Sequence, residues 1–291
     1  MNATSASNAA LNMVRGLDRT QEMLGRSLSR LSSGNRILAP SADPTGVASA
    51  EKMESQTRRN HAATVNVQNA ISHVQAADGM LASLASAVGR LTELATRALD
   101  PNLNDGDRAL YQQEFSILQD QLRDTVGGTT AEIGGTADIT QPIGRFNGRD
   151  LFGGGAGVQV NLGVFADQSL KIDATNLRAG AFASLIAQDA SGKFLLSVDD
   201  ANAVSTTSNA LEQLGNHRAT LGSFQGRLGL VAQTLIVEGE NLGSAISRIR
   251  DADVAAETTE LTKYNLLSET GGAMITQANQ SPNSVLQLLQ A

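Results

Sequence analysis

The chain contains no cysteine and no tryptophan, and aromatic residues make up only 3% of it. The missing cysteines exclude disulfides, thiolate nucleophiles and cysteine-metal sites together. They decide little about location, because many proteins inside and outside cells do without cysteine. The missing aromatics remove side chains that supply much of the buried area in compact cores. A chain of 291 residues must then bury area with Leu, Val, Ile and Ala. That mixture suits close helix-to-helix packing better than one deep core.

Other absences narrow the function. The net charge is −7, and no basic stripe with interleaved aromatics occurs, which argues against a nucleic-acid partner. The start, "MNATSASNAALNMVRGLDRT", has no basic segment followed by an apolar one, so it is not a Sec-type signal peptide. No run of about 18 apolar residues exists, so no membrane insertion is expected. Export from the cell would need another route. His61, His73 and His217 have no neighbouring ligands at metal spacing. "GGGAG" at 153–157 lacks the Lys-Ser/Thr and the strand-to-helix context of a phosphate loop. No Gly-x-Ser-x-Gly elbow is present. In "RIRDADVAAE", Asp251, Asp253 and Glu257 lie close together, and a cation site is conceivable. Arg248 and Arg250 beside them favour an ion-paired helix face. No catalytic, cofactor-binding or metal residues emerge, and the expectation is a non-enzyme. A shared pocket holding several of these acidic or His residues would revive the enzyme reading.

What is present is periodicity. Ala63, Val67, Ala70, Val74, Ala77, Leu81, Leu84, Val88, Leu91, Ala95 and Ala98 follow alternating four and three spacing, and all are apolar. A helix carrying that seam is roughly 50 Å long, and the spacing argues for coiled-coil packing. The helix is expected to begin near Thr45 and to end before Pro101. A second seam runs through Leu221, Phe224, Leu228, Val231, Leu235, Glu238, Leu242, Ala245, Ile249, Ala252 and Ala256, broken only by Glu238. It extends weakly back to Leu211 and Leu214. The two seams are natural partners, and their spacing leaves the pairing direction open. A shorter helix fits Asp107 to Thr125, with Tyr111, Phe115, Leu118 and Leu122 on one face and Asn104 or Asp105 as its cap. It folds back through the turn-rich "DPNLNDG".

The middle differs. From Gly127 to about Ser205 the chain is rich in Gly and poor in helical pattern. "VQVNLGV" alternates like a strand, and "SLKID" can pair with it across "FADQ". A small β-rich insert is expected. Both ends are amphipathic: Val14, Leu17, Gln21, Leu24, Leu28 and Leu31 keep helical spacing, with Gln21 the exception, and "NSVLQLLQA" closes the chain. Apolar helix faces without partners are unstable in water, which points to assembly. "LGRSLSRLSSGNRI" (24–37) reads as a plain helix stopped at Gly34.

Those residues carry a resemblance. "RLSSG" followed by "ILAPSADPTGVASAEKM" resembles the N-terminal signature of bacterial flagellins. "NVQNAISHVQAADGMLASLASAVGRLTELATRAL" looks like the long flagellin helix, "FNGRDLF" is similar to the central "FNG" motif, and "AISRIRDADVAAETTELTKYNLLSETGGAMITQANQSPNSVLQLL" resembles the flagellin ending. The matched regions cover about 1–126 and 208–291, in family order. The stretch from "GGTTAEIGG" to "PIG" (127–145) lengthens the link before "FNG".

The resemblance implies a structural subunit that polymerises into the flagellar filament for motility. The expected fold is mainly α, a long antiparallel helical coiled-coil bundle from both chain ends with a small β-hairpin-rich insert. It implies an inner filament-core domain of 1–42 plus 252–291 lining the channel, its ends folding on polymerisation, and an outer helical-bundle domain of 43–251 including the 127–205 insert. The expected assembly residues are Leu17, Leu24, Leu28, Leu31, Val285, Leu286, Leu288 and Leu289. Implied partners are other flagellin subunits in a helical homopolymer, the type III flagellar export apparatus, an export chaperone, and filament cap and hook-junction proteins. The implied location is an extracellular filament. A second structural reading is a hook-filament junction protein; a third is a cytosolic coiled-coil module. The resemblance also makes Arg90, Leu94 and Glu114 candidate contacts for Toll-like receptor 5, although Arg90 and Glu93 also read as ordinary solvated charges. The short middle implies a thin, smooth filament.

Overall fold

A computed structural model describes residues 2–163 and 167–289, with side chains over 11–163, 167–277 and at 280. The first helix, α1 (Asn2–Ser33), stops where the sequence says it should. Gly34 takes φ 70° and returns its N–H to the Arg30 carbonyl at 2.8 Å, a left-handed helix end that only glycine adopts without strain. Pro44 opens α2 (Pro44–Ala98), where a missing N–H costs nothing, and the Asp43 carboxylate accepts from the Gly46 N–H at 2.8 Å. In α3 (Asp105–Val126) the cap is Asn104, which accepts from the Asp107 N–H at 2.8 Å. The insert follows as α4 (Thr130–Ile133), β1 (Arg145–Phe146), β2 (Arg149–Asp150), β3 (Val158–Asn161), β4 (Ser169–Ile172) and α5 (Ala181–Ile186). Two long helices, α6 (Ala203–Arg250) and α7 (Val254–Leu289), complete the chain.

The chain divides into two compact units, Met1–Arg58 with Glu240–Ala291, and Arg59–Gly239. In the second unit every position of the first predicted seam, from Ala63 to Ala98, is buried. It packs with Ala210, Leu214, Leu221, Leu228 and Leu235 of α6 and with Phe115, Leu122 and Val126 of α3. The direction is antiparallel. Asp78 pairs with Arg218 at 2.7 Å, while Asn60, earlier in α2, lies beside Gly239, later in α6. The scarce aromatics gather where the helices meet the insert: Phe115, Phe152 and Phe182 are the fully buried rings among the described residues.

Two parts of the second predicted seam need correction. It does not run through to Ala256, because α6 ends at Arg250 and α7 starts at Val254. The Ala252 N–H instead donates to the Gly34 carbonyl at 2.8 Å. Leu211 is exposed and does not extend the seam, whereas Leu214 is fully buried.

The insert holds two separate antiparallel hairpins, β1–β2 and β3–β4. The "FNG" motif is the first of their turns. Phe146 pairs with Arg149, leaving Asn147 and Gly148 as a two-residue loop with φ 49° and 78°. Two successive positive φ values suit the right-handed strand twist, and Asn-Gly is the pair that tolerates them. In the second hairpin Val158 pairs with Ile172 and Asn161 with Ser169, as "VQVN" and "SLKI" suggest. The lengthened link before "FNG" closes on itself, with Gly128 and Ile139 exchanging backbone hydrogen bonds.

Candidate functional site: the paired terminal helices

Helix α1 and helix α7 pack against each other within the first unit. Arg30 of α1 lies 3.7 Å from Glu257 of α7, and the Ser27 hydroxyl donates to the Glu257 carbonyl at 3.3 Å. Earlier in α1, Leu17 lies against Gly271, later in α7. The pair is therefore antiparallel. Its closed end is tied by the Asn35–Asp251 bridge and by the Arg36 guanidinium, which donates to the Ile249 carbonyl at 2.9 Å.

The row of α1 that meets α7 differs from the predicted row. Leu17, Thr20, Leu24 and Leu31 are half-buried and Ser27 is buried, while Val14, Gln21 and Leu28 are exposed. The pairing row is thus Leu17, Thr20, Leu24, Ser27 and Leu31. It shares every second member with the predicted row and turns the others outward. Leu17, Leu24 and Leu31 lie on the side of α1 that is partly covered, in keeping with the expected antiparallel bundle from both chain ends. Leu28 is 51% exposed. The side chains of Val285, Leu286, Leu288 and Leu289 lie outside the described residues. Sequence inspection missed Thr20 and Ser27 because hydroxyl residues look polar in an apolar search, although a hydroxyl satisfied by a helix carbonyl packs well.

Pairing leaves much apolar surface uncovered. Leu11, Val14, Met23 and Leu28 of α1 and Leu266, Leu267 and Met274 of α7 are all exposed. Ser27 is the only buried side chain among the described residues of these two helices. The acidic group at the start of α7 is committed locally. Asp253 accepts from the Ala255 and Ala256 N–H groups, and Glu257 faces Arg30. Among the described residues no three His, Asp or Glu side chains stand together as a metal site.

The candidate receptor residues lie in the second unit. Arg90 forms a two-pronged pair with Glu114, at 2.7 and 3.1 Å, and donates to Glu93 at 2.8 Å. The guanidinium holds the Glu114 carboxyl below its ordinary value, chiefly through these hydrogen bonds. Arg90 and Glu114 remain partly exposed. Leu94 is fully buried in the core of the second unit, so it offers no surface of its own.

Helix side chains, more than strands, hold the insert. Buried Arg123 of α3 donates to the carbonyls of Ile133, Ile186 and Gly134. These lie at the C-terminal ends of α4 and α5, where carbonyls lack helical partners and a cation is favoured. Gln119 donates to the carbonyls of Leu185 and Leu196, and Gln112 accepts from the Val198 N–H. From α6, Gln213 accepts from the Phe182 N–H and donates to the Ala179 carbonyl. The "GGGAG" stretch borders a cleft of about 570 Å³ that also includes His73, Arg149 and Arg178. Arg178 is already matched by Glu132 and Asp150.

Two apolar-faced helices from opposite ends of one chain, joined but incompletely covered, define an α-helical assembly subunit. Comparison with known proteins gives the family. The bacterial flagellin N-terminal helical region matches residues 4–132, and the bacterial flagellin C-terminal helical region matches residues 204–289. The chain is 34% identical to a flagellin of Bacillus subtilis, over 97% of this chain and 98% of that one. It is 33% identical to the flagellar filament 33 kDa core protein of Treponema phagedenis, with the same shares. It is also 33% identical to a flagellin of Halalkalibacterium halodurans, over 98% of this chain and 97% of that one. The chain belongs to the bacterial flagellin family, structural proteins of the flagellar filament.

Proposed function

We infer that this chain is a structural subunit that polymerises with other flagellin subunits into the bacterial flagellar filament and so serves swimming motility. The observation that carries this reading is the α1–α7 pair, whose apolar residues stay exposed in the single chain within a family of filament proteins. Burying them between neighbouring subunits supplies the driving force for assembly. Residues 1–42 and 252–291 form the inner, channel-lining part, and the helix breaks at 34–43 and 251–253 lie near its boundary. The chain works without catalysis. It leaves the cell through the flagellar type III apparatus, with a chaperone on its C-terminal region, and is placed under the filament cap beyond the hook-junction proteins. Arg90 and Glu114 form a contact for Toll-like receptor 5. That contact fails as a reading if Arg90→Ala leaves receptor signalling unchanged.

The direct test is polymerisation of the purified chain, viewed by electron microscopy. Filaments are expected from the full chain and none from a chain lacking 1–42 and 252–291. Normal filaments from the truncated chain would overturn the reading.

A further inference from the structure

The chain has six methionines, and three of them stand exposed on the terminal pair: Met13 at 36%, Met23 at 44% and Met274 at 57%. Met53 and Met80 are half-buried. Met13 lies one turn before Leu17 on α1, and Met274 lies one turn beyond Gly271, the residue that Leu17 approaches. In an antiparallel pair these two steps lead to the same level. Two exposed thioethers from opposite ends of the chain therefore lie at about one height of the terminal pair, with exposed Leu11 and Val14 near Met13 in the sequence. A thioether is the one apolar side chain that mild oxidants make polar without breaking the chain.

We propose that Met13 and Met274 form a reversible oxidation site, at which a hydroperoxide converts them to sulfoxides and thereby blocks subunit assembly. This rests on the filament reading. At each site the sulfur attacks one oxygen of the hydroperoxide. The O–O bond breaks, an S–O bond forms, and the sulfur is oxidised by two electrons. The second oxygen leaves with the proton as water or an alcohol. The polar sulfoxide must then be stripped of water to enter a subunit interface, a cost that the thioether does not carry. Methionine sulfoxide reductases reverse the change.

The experiment oxidises the full-length monomer with hydrogen peroxide, locates the added oxygen by peptide mass spectrometry, removes the oxidant and measures the critical concentration for polymerisation. Oxidation of the wild-type chain is expected to raise that concentration about tenfold, and reductase treatment to restore it. A Met13→Leu/Met274→Leu chain keeps the apolar volume and is expected to lose most of the peroxide effect, leaving only what oxidation of exposed Met23 contributes. Oxidised wild-type chain assembling at the untreated concentration overturns the proposal, as does equal inhibition of the double variant. Untreated wild-type chain that does not assemble overturns the filament reading beneath it.

Discussion

The seam of α2 and the seam of α1 obey the same alternating spacing, yet they are buried to different depths. In the second unit, Val67, Val74, Leu81, Val88 and Leu91 have no solvent exposure at all. In the first unit, Leu17, Leu24 and Leu31 are only half-buried. The difference lies in the number of neighbours. The α2 seam meets α6, α3 and the insert, whereas the α1 seam, among the described residues, meets α7. Heptad spacing specifies that a face will be covered; it does not specify that the covering comes from the same chain. The first unit is a finished pair and an unfinished core.

The largest blow to the finished unit is expected from Arg123→Met. Three carbonyls lose a charged donor, and that of Ile133 keeps only the Gln188 N–H. The loss is about 4 kcal/mol of stability, read as a lower urea midpoint. Burial already pulls the Arg123 guanidinium below its usual value, against the opposing pull of Asp120 and Asp124. Next comes a matched pair of seam variants. Leu81→Ala opens a cavity at a site with no exposure and is expected to cost the monomer about 3 kcal/mol. Leu24→Ala is expected to cost the monomer only about 1 kcal/mol, because its side chain is half wet. Its main effect is expected in assembly, as a rise of about tenfold in critical concentration. Equal losses of monomer stability would erase the distinction between the units. A smaller change, Asn104→Ala, removes the α3 cap and should cost about 1 kcal/mol in thermal unfolding while leaving the terminal pair untouched.

The finished unit was the more legible in the sequence. All eleven residues of the first seam are buried, since a pattern of Ala, Val and Leu with no polar member admits one solution. "FNG" and "VQVN…SLKI" announced their hairpins because turn chemistry and strand alternation are local. The α1 row was half legible. Two rows share Leu17, Leu24 and Leu31, and the choice between Gln21/Leu28 and Thr20/Ser27 depends on α7, which local spacing does not contain. The second seam was overextended because the chain leaves the helix at 251–253 without proline or glycine. Its break is made by long-range bonds from Gly34 and Arg36. Arg123, Gln119 and Gln213 were invisible for the same reason: their acceptors are backbone groups, which every residue has.

Acid gives the smallest expected effect and separates the units chemically. All three histidines, His61, His73 and His217, belong to the unit Arg59–Gly239. His73 packs edge-on against Phe146 of the first hairpin, with ring centroids 5.7 Å apart. Burial lowers its pKa from the ordinary 6.5, and nearby Arg149 lowers it further. Burial lowers His217 too, partly opposed by a backbone hydrogen bond at Asn176. For both, the unfolded chain takes up the proton more readily than the folded one. Their contribution to stability is therefore complete above the unfolded value and declines as pH falls through it toward the folded value. The urea midpoint of the second unit should drop between about pH 7.5 and pH 5.5. His73→Gln should flatten that drop, and adding His217→Gln should flatten it further. The first unit contains no histidine, so a probe placed on α1 or α7 should report no such slope over the same range. A slope of equal size at both probes would mean that the two units unfold as one.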